Sequence, residues 1–393
     1  MIPFNRPYVT GREFHYVSEA IEAGHLSADG DFTRRCNGWL ERMTGCAASH
    51  LTHSCTGALE MAVILSAIEP GDEVIMPSYT FVSTANAVVL RGGVPVFVEI
   101  RSDTLNIDET AIEQAVTPRT KAILVVHYAG VGCEMEAIMD LAAGHDLAVI
   151  EDAAQGLGAT YRERPLGALG HLGAVSFHET KNVTSGEGGA LLVNEERHLE
   201  RAQVIHDKGT DRARFSRGEV DKYTWRDIGS SFSMSEISAA FLWAQLESAA
   251  EITAARVRLW ERYHEAFAEL ELGDSVRRPT VPAHCRHNAH MYYLLVSRPE
   301  LRGPLLEELE RRGVNSVFHY VPLHSSPAGR RFGRADSDLG VTETVSSSII
   351  RLPLWVGMGE QTVERVAAHV YEALGDLERG RAAGSGRPQT TSA

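Results

Sequence analysis

Short runs of apolar and β-branched residues recur through the first half of the chain. The strand-like runs are residues 73–76, 94–98, 122–126, 147–150, 174–177 and 190–193. Between and around them, apolar residues return every three or four positions over 56–68, 80–90, 109–116, 134–145 and 196–205, which is helical spacing. This alternation predicts βαβ units, hence a mostly parallel sheet with helices on both faces. Pro70-Gly71 and Gly92-Gly93 read as turns. Ahead of the first run, 11–24 has helical spacing through Phe14, Val17 and Ile21. A turn at Ala28-Asp29-Gly30 then leads into a second helix ending near Leu40.

From 234 to 270 the pattern is helical almost throughout. Strand-like runs at 291–296 and 316–318 and helices at 301–312 and 361–374 follow, a mixture that suggests a smaller α+β domain. The expected organisation is a large domain over 1–250, a small C-terminal domain over 251–378 and a disordered tail over 379–393, where apolar bulk is almost absent.

A chain of 393 residues has room for two or three domains, and 44% hydrophobic with 23% charged residues is ordinary for a globular protein. The formal net charge of −14 argues against nucleic acid or an anionic membrane as partner. The five cysteines are scattered and odd in number, which suits free thiols in a reducing compartment. The first residues lack the basic and apolar regions of a signal peptide, and no apolar stretch is long enough to span a bilayer. The expected location is cytoplasmic.

The chemistry concentrates in Ser176-Phe177-His178-Glu179-Thr180-Lys181-Asn182. A lysine just past a buried strand sits at the edge of a pocket, where it can lose its charge and act as an amine nucleophile toward an aldehyde. Upstream, the run 147–150 ends in Glu151-Asp152-Ala153-Ala154-Gln155. A carboxylate at the end of a parallel strand points into the ligand crevice. One that keeps a pyridine nitrogen protonated makes pyridoxal 5'-phosphate (PLP) a strong electron sink. Asp152 as a plain helix cap is the other reading. Ser54-Cys55-Thr56-Gly57 opens an apolar helix and offers its first N–H groups to a phosphate, or is an ordinary cap. Ser176 can add a hydroxyl to the same phosphate. Phe81 is placed either to stack on a flat ring or to fill the core. Ala154 suits the opposite ring face, and Gln155 can reach the ring's phenolic oxygen.

Other motifs carry less. The histidines and cysteine of 284–290 fit no tetrahedral ligand spacing, so no metal is expected. The glycines of 186–189 lack a following Gly-Lys-Ser/Thr, and no Gly-x-Ser-x-Gly turn surrounds Ser54. Lys208, Arg212, Arg214, Arg217 and Lys222 are nearly balanced by acids, yet form the densest supply of cations for a diphosphate. His319, Tyr320 and His324 point weakly to a cleft.

Taken together these stretches resemble the DegT/DnrJ/StrS sugar aminotransferases, a branch of the fold-type I PLP enzymes. The resemblance runs from residue 2 to about residue 374. It rests on Ser54-Cys55-Thr56, residues 71–84, His127-Tyr128-Ala129-Gly130, residues 151–155 and residues 176–182. Residues 221–231 and Phe318-His319-Tyr320 look most like the dTDP-4-dehydro-6-deoxyglucose 4-transaminases. The resemblance implies that Lys181 carries the cofactor and shuttles the proton, that Asp152 pairs with the pyridine nitrogen and that Gln155 contacts the ring oxygen. It implies that Phe81 stacks on the ring with Ala154 nearby, and that Thr56, Gly57 and Ser176 hold the phosphate. Lys208, Tyr223 and His319 are the implied substrate contacts. The family completes the phosphate site from a second subunit, which implies a homodimer with shared active sites. Ser233 stands where the family often has asparagine. Related sugar dehydratases have histidine in place of Lys181, so amino transfer is implied, from L-glutamate to C4 of a nucleotide-linked 4-keto-6-deoxyhexose. A dehydration, or a PLP-binding regulatory role, is the alternative.

Overall fold

The computed structural model describes residues 1–385. Seven strands build the main sheet: β1 (Ala48–Thr52), β2 (Glu73–Pro77), β3 (Val94–Val98), β4 (Thr120–Val126), β5 (Ala148–Asp152), β6 (Leu172–Ser176) and β7 (Gly189–Val193). Their order is β1-β7-β6-β5-β4-β2-β3, and Arg334–Ala335 adds an eighth strand beside β3. All neighbours from β3 to β6 are parallel. Only β7 runs the other way, against both β6 and β1, because no helix crosses between β6 and β7 to turn the chain round. The six expected strands are all present, in a fold-type I α/β architecture. β1, with its mixed Ala48-Ser49-His50-Leu51-Thr52 sequence, carries no strand pattern and emerges only through its pairing with β7.

The helical segments pack as expected, with one reversal. In the first helix, α1 (Glu13–Glu22), the buried positions are Glu13 and Ala20, while Phe14 is 83% exposed and Ile21 55%. Glu13 is tolerated inside because its carboxylate accepts the Thr10 and Gly11 N–H groups and the Gln245 side-chain amide at 2.7–2.8 Å. Next come α2 (Asp31–Thr44), α3 (Cys55–Leu65) and α4 (Val82–Val89). The long helical stretch from residue 234 is two helices, α5 (Glu236–Glu247) and α6 (Ala249–Ala266), broken at Ser248.

A second layer holds a three-stranded antiparallel sheet. At its centre is β8 (Tyr292–Val296), flanked by Val276–Arg277 and β9 (Ile349–Leu352). Stacked Tyr263, Phe267 and Tyr292 fill its core. The expected strand at 316–318 reduces to one bridge, Val317 to Arg351. Residue 2 also belongs here: Ile2 lies in this core, donates to Gly313 O and accepts from Asn315 N. The last helix, α7 (Glu360–Ser385), continues into the segment whose composition suggested disorder, and residues 386–393 of that expected tail lie outside the described residues. Among the described residues no helix is long and apolar enough to cross a membrane.

One buried acid fixes the centre of the main sheet. Side chains alternate along β5, so Glu151 and Asp152 leave on opposite faces. Glu151 is fully buried and lies 2.7 Å from His127 Nε2. It also accepts the N–H groups of Gly167, Leu169 and Gly170 at 2.8, 2.7 and 2.6 Å. The loop before β6 is thereby tied to β5. Glu151→Ala leaves these buried donors unpaired and should cost about 3 kcal/mol or more in chemical denaturation. An unchanged midpoint would show that the loop is held by other contacts.

Candidate active site

The C-terminal ends of the parallel strands open into a cavity of about 740 Å³ that the second layer closes from the other side. Asp152 ends β5, and Ser176 ends β6 five residues before Lys181. Because β5 and β6 are paired, with Asp152 opposite Ala174, both chain ends arrive at the same wall. The turn after β6 is closed by Lys181 N–H donating to His178 O at 2.9 Å.

The two key side chains are held in opposite electrostatic balance. Asp152 is buried, which raises its pKa, but Thr84 Oγ1 donates to it at 2.8 Å and Ala154 N–H at 3.1 Å, both favouring the carboxylate. Burial lowers the Lys181 pKa; Arg351 lowers it further, against the pull of Cys55 and Asp152. An amine eased toward neutrality in this way can act as nucleophile and base near neutral pH.

Helix α3 points its N-terminus at the cavity. Ser54 caps it by accepting the Gly57 N–H at 3.1 Å. Among the described residues no protein acceptor meets the N–H groups of Cys55 and Thr56, which leaves two donors at the positive end of a helix. Gly57 lies just behind, where a Cβ would come within 2.8 Å of the His53 ring. The Thr56 hydroxyl lies 2.8 Å from that of Ser83. Phe81, 57% exposed, presents its ring to the cavity, with Ala154 also on the lining.

The second layer supplies His290, His319, Tyr320 and Arg351. His319 stacks on Tyr320 with centroids 3.6 Å apart, and its Nδ1 is 2.6 Å from Tyr128 Oη. Burial holds both histidines well below the usual imidazole pKa, so they stand as neutral groups. Gln155 is more committed than its sequence position suggested: it accepts the Ala129 N–H at 2.6 Å and donates to Tyr320 Oη at 2.9 Å. One amide N–H remains for a ligand.

Of the residues singled out from sequence, Thr56, Phe81, Asp152, Ala154, Gln155, Ser176, Lys181 and His319 line this one cavity. Lys208, Tyr223 and Ser233 do not. Lys208 pairs with Asp207, Tyr223 packs edge-on against Phe215 at the surface, and Ser233 bridges to Thr52. Arg351 and Tyr320's contact with Gln155 went unread. The signal for Arg351 was a single cation inside the apolar run Ile349-Ile350-Arg351-Leu352.

Residues 7–371 match the model of the DegT/DnrJ/EryC1/StrS aminotransferase family. The chain belongs to this family. It is 34% identical over 372 residues to GDP-perosamine synthase from Caulobacter vibrioides, covering 94% of this chain and 97% of that one. It is 32% identical over 387 residues to the spore coat polysaccharide biosynthesis protein SpsC of Bacillus subtilis, covering 96% and 97%. The crystal structure of the aminotransferase TlmJ from Streptoalloteichus hindustanus superposes with a TM-score of 0.88 at 28% identity, covering 96% of this chain and all of that one. The protein is thus a PLP-dependent sugar aminotransferase.

The residues present fit the cofactor. A single cavity holds an amine for its aldehyde, a buried carboxylate for its ring nitrogen and two free N–H donors for its phosphate. When bound, PLP supplies the electron sink and carries the amino group between donor and acceptor. With the cofactor bound, Lys181 would be placed to move the proton and Asp152 to maintain the charge on the ring nitrogen. Lys181→Ala should abolish turnover while leaving the fold, as judged by far-UV circular dichroism, unchanged. Substantial residual turnover would remove the lysine from its role.

Proposed function

We propose that this aminotransferase moves the amino group of L-glutamate to C4 of dTDP-4-dehydro-6-deoxy-D-glucose in two half-reactions, giving a dTDP-4-amino-4,6-dideoxyhexose. The observation that carries the amino-transfer chemistry is the meeting of Lys181 and Asp152 in one cavity, with opposed pKa shifts. The choice of sugar rests on the resemblance of residues 221–231 and 318–320 to the dTDP-sugar transaminases. In this reading Lys181 is the carrier and proton shuttle, Asp152 the ring-nitrogen partner and Phe81 the stacking ring. Thr56, Gly57 and Ser176 form the phosphate seat, and His319 is a neutral contact for a sugar hydroxyl.

The active unit is a homodimer. Lys208, Tyr223 and Ser233 then serve the partner's cavity, the first two reaching the nucleotide sugar and Ser233 the cofactor phosphate. The exposed rings of Tyr223, Trp225 and Phe215, with Phe14 and Ile21 of α1, support an interface: so much apolar surface is rarely left bare. A GDP-linked sugar is the second reading, favoured by the relative named GDP-perosamine synthase.

The purified protein should absorb in the near-visible, lose that absorbance with L-glutamate while releasing 2-oxoglutarate, and recover it with the dTDP-linked ketosugar. Recovery with a GDP-linked ketosugar alone would replace the nucleotide assignment. Sugar turnover without 2-oxoglutarate would favour dehydration. No response to any amino donor would favour a regulatory role.

A further inference from the structure

The first turn of α4 touches three parts of the site at once. Phe81 caps the helix and presents its ring to the cavity. The Ser83 hydroxyl lies 2.8 Å from that of Thr56 in the phosphate seat. Thr84, the next residue and fully buried, donates its hydroxyl to Asp152 Oδ2 at 2.8 Å. Behind it, the hydroxyl of Thr80, also buried, lies 2.8 Å from the Thr84 oxygen. An ionised carboxylate only accepts, so the Thr84 proton is committed to Asp152 and the Thr80 proton to Thr84. The two hydroxyls therefore form a chain polarised toward the carboxylate, in which each bond strengthens the next.

The fold uses the two oxygens of Asp152 evenly. Oδ2 takes the Thr84 hydroxyl and Oδ1 the Ala154 N–H at 3.1 Å, and among the described residues these are its two side-chain hydrogen bonds. Bonds from two different elements fix the plane of the carboxylate and leave each oxygen with a lone pair for a ligand. Burial raises the Asp152 pKa, and the Thr84 bond is the strongest influence bringing it back down. The titratable groups that face Asp152 are Lys181 after β6, His127 after β4, Cys55 at the head of α3 and Tyr320 in the second layer. Lys181 and His127 also lower its pKa, and the Asp152 charge in turn raises the pKa of Cys55 and Tyr320. A buried carboxyl that loses a donor takes up a proton more readily, and a neutral Asp152 has no charge to offer a pyridine nitrogen. Thr84 is not on the cavity lining, so whatever it does for a ligand it does through Asp152.

We propose that Thr84, backed by Thr80, is a positioning residue that holds the Asp152 carboxylate charged and in a fixed plane, so that it meets the cofactor's ring nitrogen as an anion. This rests on the reading of Asp152 as the ring-nitrogen partner. The same turn reaches the phosphate seat through Ser83, so one short segment of α4 sets the span between the groups that receive the two ends of the cofactor.

The test is equilibrium dialysis of the full chain against PLP over a range of pH, read by near-visible absorbance. As pH falls through the Asp152 pKa the anion is lost, and affinity for PLP falls with it. Thr84→Val keeps the shape and removes the donor, so Asp152 takes up its proton at higher pH. The acid-side loss of affinity should move up by about one pH unit, and affinity at neutral pH should fall about tenfold. Thr84→Ser should restore both values, and Thr80→Val should shift the midpoint the same way by less. A weakening equal at every pH, with the midpoint in place, would mark Thr84 as packing alone and overturn the proposal. So would an unchanged profile in Thr84→Val, or in Thr80→Val should the first variant fail to fold. Asp152→Asn separates the two readings. If it abolishes the acid-side dependence while Thr84→Val leaves it intact, only the role of Thr84 falls; if it changes nothing, Asp152 is not the ring-nitrogen partner and both fall.

Discussion

The geometry of the active site depends on a carboxylate that never touches it. Glu151 lies fully buried within the sheet, bound to His127 and to three loop amides, those of Gly167, Leu169 and Gly170. These bonds set where β6 begins relative to β5. Strand β6 is five residues long, so its starting point decides where Ser176 ends and where Lys181 follows. The alternation that sends Glu151 down sends Asp152 up. A charge buried in the core is tolerable only when every lone pair is used, and here the loop supplies the donors.

From that fixed frame the electrostatics follow. Burial discourages both charges, the negative one on Asp152 and the positive one on Lys181. Thr84 and Ala154 offset this for the aspartate, while Cys55 and Asp152 offset it for the ammonium, which Arg351 opposes. Neutral His290 and His319 add hydrogen-bonding capacity without tipping the balance. Burial thus prevails at both groups, raising the Asp152 pKa and lowering that of Lys181, so each lies closer to neutrality than it would in water.

Much of this was legible in the chain, and the reasons differ by residue. The parallel strands are continuous apolar runs because they are buried on both faces, so they stand out. Lys181 and Asp152 stand out because each breaks off such a run. β1 is hidden because its mixed sequence shows no alternation, and tertiary bonds hold it instead: the Ser49 hydroxyl and the Leu51 N–H both donate to the Asn37 side chain. The face of α1 was misjudged because periodicity reports apolar residues, not which partner covers them; Glu13 won the interior through three hydrogen bonds. Gln155 was assigned one partner from its neighbourhood, while Ala129 and Tyr320, distant in sequence, take most of its capacity. Lys208, Tyr223 and Ser233 lie away from the cavity because the sequence pattern does not report which loop folds toward it.

The position of Ile2 in the second-layer core has a consequence for how the protein is made. Ile2 pairs with Gly313 and Asn315, and Phe4 lies against Arg351, so residues 2–4 cannot complete their contacts until the segment from 313 to 351 has been made. The main sheet can assemble from local βα units as it emerges. The wall that closes the cavity cannot, since it needs contacts more than three hundred residues apart. A nascent or truncated chain would therefore hold Asp152 and Lys181 on a formed sheet with the cavity still open to water. That wall is complete only when residues 2–4 have met the segment from 313 to 351.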